Sequence, residues 1–151
     1  MGRKNAGTAG TGHAPRATAP GRKTRLNAGE QRLLRRIRGA LSLDLRHKSY
    51  PILEDDWYFA CLEHCYVATE AAYHLFARAE GYVPYVLRHP DGSTHWWLVQ
   101  KATGKILDPT EPQLGGKPFP YKRGRRAVFL TPQPSRRAVE LLRRVEAAQD
   151  R

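Results

Sequence analysis

Cysteine is nearly missing from this chain, with two among 151 residues, Cys61 and Cys65. Four positions apart, they fall one turn apart on a helix and form no disulfide framework of the kind that braces small secreted domains. A reducing, cytoplasmic setting is therefore expected. Long apolar runs are missing too. No stretch approaches the ~20 residues needed to span a bilayer, and the opening segment lacks the apolar core of a signal peptide, so no membrane partner is expected. Acidic residues are scarce, 14 against 26 Lys and Arg, for a formal charge of +12. Such a balance favours polyanionic partners, because a basic surface concentrates and steers negative charge. It does not specify a reaction. There is no helix-turn-helix, zinc-finger or RNA-recognition signature, so any nucleic-acid binding rests on charge alone.

What is present divides into a tail and one domain. Residues 1–26 are rich in Gly, Ala, Thr and Pro, carry six Lys or Arg residues and contain no Asp or Glu. A segment so poor in apolar side chains cannot offset its ordering entropy and reads as a disordered basic tail. It is either an arm for nucleic acid or a solubilising extension. Residues 27–151 read as a single domain. Asn27 with Glu30 is a variant of the capping box, and Leu33, Leu34, Ile37, Ala40 and Leu41 then recur at helical spacing. The opposite face carries Arg32, Arg35, Arg36 and Arg38, so residues 1–38 form the candidate surface for nucleic acid, with a plainly solvated face as the alternative.

A second helix is expected over about Glu63 to Ala79, where Cys65, Ala68, Ala72, Leu75, Phe76 and Ala79 make one inward stripe. Gly81 and Pro84 end it. "YVPYVLRH" reads as a strand, Asp91-Gly92 as a hairpin turn, and Thr94–Gln100 as the antiparallel return. Gly104 turns the chain into Ile106–Leu107, and "RAVFLT", at about 126–131, adds a further strand. Ser135 caps a last helix with Ala138, Leu141, Leu142 and Val145 on its apolar face. The expected fold is α+β, with an antiparallel sheet of about four strands packed on a central Cys-bearing helix and flanked by N- and C-terminal helices.

Three residues in this scheme carry a chemistry together. A cysteine acts as a nucleophile only as thiolate, which is favoured near a helix N-terminus and beside an imidazolium that a third polar group orients. Cys65 falls near the start of the second helix. His95 begins one strand and Asp108 ends the next, and in an antiparallel pair those positions are neighbours. A nucleophile, a base and an orienting carboxylate are thus within reach of one another.

The ordered set of Cys on a helix, His on a strand and Asp on the following strand resembles the papain-like and transglutaminase-like cysteine-hydrolase superfamily. Within it, "HCYVATEAAYHLF", "HWWLV", "GKILDPTEPQ" and "FLTPQPSRRA" look like a family of small bacterial and phage proteins with this core. The resemblance covers residues 50–145. It implies Cys65 as nucleophile, His95 as base, Asp108 as orienting residue, a peptide or amide substrate, and no cofactor or metal. Relatives often place a Gln or Trp before the nucleophile as oxyanion donor, but no Gln occurs between Gln31 and Gln100. The backbone N–H of Cys65 and the indole of Trp57 are the candidates here, with His64 and Trp97 as further oxyanion or groove residues.

Each residue also has a plainer reading. Free cysteine is among the most buried residue types, a strand histidine is commonly a satisfied core residue, and Asp108 before Pro109 can simply open a turn. Cys61, Cys65, His64 and His95 could alternatively supply zinc-type ligands, although two thiolates one helical turn apart lack the loop that lets them converge. A third alternative is a non-catalytic basic protein that keeps the core and binds nucleic acid or another partner.

Overall fold

A computed structural model describes residues 25–42, 45, 64–111 and 118–149. The tail up to residue 24, together with Trp57 and Cys61, lies outside the described residues. Helix α1 (Ala28–Ala40) starts in a full capping box: the Asn27 side chain accepts from the Glu30 backbone at 2.8 Å, and Glu30 returns the bond to the Asn27 backbone at 2.9 Å. The other carboxylate oxygen of Glu30 accepts from the Tyr82 hydroxyl at 2.7 Å, and Lys105 reaches Glu30 at 2.5 Å. Burial opposes the charge on Glu30, but these donors outweigh it and hold its carboxyl below the usual range. A local cap therefore also ties α1 to the sheet.

Helix α2 (Cys65–Ala72) begins at the cysteine itself, with His64 at its N-cap. Ala68, Ala71 and Ala72 are fully buried, and side chains this small let the helix lie close to the sheet. The helix does not run on in α geometry to Ala79 as the periodicity predicts. Residues Tyr73–Ala77 form a π turn, closed by Arg78 N–H to Tyr73 C=O at 2.9 Å, and Gly81 leaves it at φ +77°.

The sheet is antiparallel, in the order β3-β2-β1-β4, from β1 (Tyr82–Arg88), β2 (Thr94–Gln100), β3 (Ile106–Leu107) and β4 (Arg125–Arg126). The β1–β2 turn is closed by Asp91, whose Oδ1 accepts from both the backbone and the hydroxyl of Ser93, with Gly92 at φ +87°. Tyr85 pairs with Trp97 and Leu87 with His95. Strand alternation then separates two cores. Leu98 and Tyr82 face α1, α2 and helix α3 (Arg136–Ala147), with Val67, Leu107, Leu141 and Val145 among the buried residues there. Trp97, Val99, Ile106 and Tyr121 form a second, mainly aromatic cluster on the opposite face, joined by Tyr85, Leu87 and Phe119.

The fourth strand is shorter and earlier than "RAVFLT" suggests. Pairing stops after Arg126, although Ala127 N–H still donates to Pro84 C=O at 2.9 Å. The return bond from residue 84 cannot form, because proline has no N–H. Beyond that point Val128 and Leu130 are 81% and 90% exposed, so β propensity there is overridden by the partner strand. Ser135 caps α3 as expected, accepting from Ala138 N–H.

Candidate active site

Cys65, His95 and Asp108 come together where the start of α2 meets the start of β2 and the end of β3. Cys65 is the first residue of its helix, so its thiol sits at the positive end of the helix dipole. Its Sγ donates to Thr94 C=O at 3.3 Å. His95 is 3% exposed, and its Nε2 donates to Asp108 Oδ2 at 2.7 Å. The ring also hydrogen-bonds the Cys65 side chain.

Asp108 is held on every side. Oδ2 also accepts from the Tyr121 hydroxyl at 2.8 Å, and Oδ1 accepts from Thr110 N–H at 3.0 Å in an Asx turn through Pro109. Its backbone carbonyl accepts from Arg38 at 3.1 Å, and the carbonyl of Pro109 accepts from the same guanidinium at 2.6 Å. One end of α1 is thereby pinned to the loop that presents the carboxylate. The first helix is therefore not uniformly a solvated basic face. Arg36 donates to Val145 C=O at 3.0 Å and Arg38 to the Asp108 loop, while Arg32 and Arg35 remain exposed.

Aromatic rings surround the imidazole. Trp97 stacks on it with centroids 6.0 Å apart at 24°, and Phe119 leans on it at 4.8 Å. Ring faces of this kind favour a cation. Burial is the largest influence on His95 and disfavours the charged ring. The Asp108 hydrogen bond, the Cys65 hydrogen bond and the charge of Asp108 together outweigh it and raise its pKa from 6.5 to about 9. Asp108 in turn pushes the Tyr121 hydroxyl further up than burial alone does, so it stays a donor.

The remaining sequence candidates sit elsewhere. Trp97 is fully buried beneath His95 and forms a floor for the ring, and its Nε1 has no hydrogen-bond partner among the described residues. His64 is 1% exposed, with Nε2 2.9 Å from Ser42 C=O. Trp57 and Cys61 fall outside the described residues, and among those described no three His, Cys, Asp or Glu side chains group as metal ligands. Sequence reasoning missed Tyr121, Thr110 and Arg38. Thr110 had a signal in the Asp-Pro-Thr turn, whereas Tyr121 and Arg38 had none. No helix among the described residues is long and apolar enough to cross a membrane. Nothing matches the chain among family models, curated proteins or solved structures.

Proposed function

We propose that this chain is a thiol-dependent hydrolase or acyltransferase of the papain-like or transglutaminase-like kind, with Cys65 as nucleophile, His95 as base and Asp108 as its orienting residue. One observation carries the reading: the buried His95 ring hydrogen-bonds both the Asp108 carboxylate and the Cys65 side chain. A structural histidine needs only one such partner. A cation beside the sulfur, at the head of a helix, favours thiolate.

In the proposed reaction the thiol proton resides on His95 while Sγ adds to the carbonyl carbon of an amide or thioester substrate. The resulting oxyanion lies near the first-turn N–H groups of α2, which are preorganised donors. Collapse of the adduct breaks the bond to the leaving group, which takes the proton from His95, and a thioester on Cys65 remains. Water or an amine then gives a proton to His95 as it adds to the thioester. Its collapse releases the acyl product, and Cys65 recovers the proton. Cys65 is only 3% exposed, so turnover requires the surface over Sγ to open.

The test is acylation by an activated ester such as p-nitrophenyl acetate, followed by intact and peptide mass spectrometry. A thioester should appear on Cys65, vanish in Cys65→Ala and form far more slowly in His95→Ala. Failure to acylate, combined with iodoacetamide labelling of Cys65 that is indifferent to His95→Ala, would leave the non-catalytic binding protein as the reading.

A further inference from the structure

The β4 edge of the sheet, unpaired among the described residues, does not enter the proposed reaction. Ala127 turns its N–H inward to Pro84 C=O, and in extended backbone the flanking residues turn theirs the opposite way. Arg126, the last residue of the edge strand, therefore points its N–H and C=O outward, a ready template for another strand. The side chains alternate as well. Phe129 packs inward against Tyr66 and Trp96 at 5.6 and 5.9 Å, and Tyr66 fixes the path by accepting from Leu130 N–H at 2.9 Å. Arg126, Val128 and Leu130 consequently share the opposite, exposed face, where Val128 is 81% and Leu130 90% exposed. Arg125, Lys122 and Arg123 are exposed close by, on β4 and the turn that leads into it.

We infer that this edge docks an extended acidic peptide by strand addition. Main-chain pairing would be made at Arg126, apolar side chains would cover Val128 and Leu130, and carboxylates would face Arg125 and Arg126. Two other occupants fit less well. A second copy of the chain paired edge to edge would set arginines against arginines, which disfavours a cross-strand pair. Single-stranded nucleic acid binds on outward aromatic platforms, and the aromatic residue here, Phe129, is turned inward.

The test is fluorescence anisotropy of the full chain with a short fluorescein-labelled peptide that carries valines at alternate positions, to cover Val128 and Leu130, and two consecutive glutamates at one end, to face Arg125 and Arg126. The same peptide N-methylated on its pairing amides, and an oligonucleotide of matched charge, serve as comparators. Strand addition predicts that N-methylation raises Kd by roughly tenfold or more, as do Arg126→Glu and Val128→Pro. The melting midpoints of these surface variants should stay near that of the parent. Should Val128→Pro unfold, the N-methylated peptide against the parent chain still decides the matter. No binding of the parent peptide, or equal binding of the N-methylated one, overturns the proposal. So does tighter binding of the oligonucleotide with the same sensitivity to Arg126→Glu, or a dimer in sedimentation that Val128→Pro abolishes.

Discussion

The Tyr121 hydroxyl lies 2.8 Å from Asp108 Oδ2, the same oxygen that His95 Nε2 approaches at 2.7 Å. Two donors on one oxygen, with Thr110 on the other, leave the carboxylate no freedom to rotate away from the imidazole. Tyr121→Phe removes one donor and keeps the ring that packs against Trp97 and Phe119 at 5.2 and 4.9 Å. It should destabilise the fold by about 1 kcal/mol, the net value of one hydrogen bond. The informative readout is iodoacetamide labelling of Cys65 against pH. Its near-neutral rate should fall several-fold in Tyr121→Phe and converge with the parent at high pH. A packing role alone would leave that profile unmoved.

Stability should decline with alkali because of His95. Its pKa is raised from 6.5 to about 9, so the folded protein keeps a proton that the unfolded chain releases. The stabilisation is complete below about pH 6.5 and is lost as pH rises through about 9. At about 1.4 kcal/mol for each pH unit, unfolding in urea should show a loss of a few kcal/mol across that window. His95→Gln should start lower and show a flatter decline. An identical slope in the variant would assign the alkaline loss to other groups.

Readable features of the sequence were those whose partners are near in sequence or fixed by strand pairing. The Asn27–Glu30 box and the Asp91-Gly92 turn depend on contacts of two or three residues. The meeting of His95 with Asp108 followed from antiparallel pairing of β2 with β3. Tyr121 was hidden because it sits in a single 3-10 turn with no periodic pattern to place it. Arg38 was hidden because nothing in the order of residues tells an arginine on a basic helix face that it will bind carbonyls some 70 residues away. The error in β4 has the same origin, since the strand ends where Pro84 on the partner strand lacks a donor, not where its own residues change character.

Glu70 offers a test of how α2 is held. It is fully buried on the Cys-bearing helix, and its two oxygens accept from the backbone and the hydroxyl of Ser135, at 2.9 and 2.6 Å. The same hydroxyl also caps α3 at Ala138 N–H. Ser135→Ala removes the cap and one partner of a buried carboxylate at once, so the loss should be about 2–3 kcal/mol, above the ~1 kcal/mol usual for a cap alone. Glu70→Gln in the same background should recover part of it, because a neutral amide is less costly to leave short of a donor. Thermal melts of the two single variants and the double variant check this, and strictly additive effects would show that the cap and the carboxylate act separately.

Gly124 tests the floor beneath the imidazole. Its φ is an ordinary −68°, so backbone strain is not the issue. Space is: a Cβ there would lie 2.2 Å from both Cζ2 and Cη2 of Trp97. Trp97 is fully buried and cannot retreat without moving Tyr121, Phe119 and His95, which lie against it at 5.2, 5.6 and 6.0 Å. Gly124→Ala should therefore destabilise by about 1–3 kcal/mol, the range for overpacking a core. It should also alter the pH dependence of Cys65 labelling, because the displaced indole carries the His95 ring with it. Trp97→Phe gives back the required volume. On its own it leaves a cavity and is destabilising, but combined with Gly124→Ala it should cost less than the two single changes added together, since the new methyl group occupies part of the space the indole vacated. Additive losses in urea unfolding, with an unchanged labelling profile in Gly124→Ala, would separate this contact from the site.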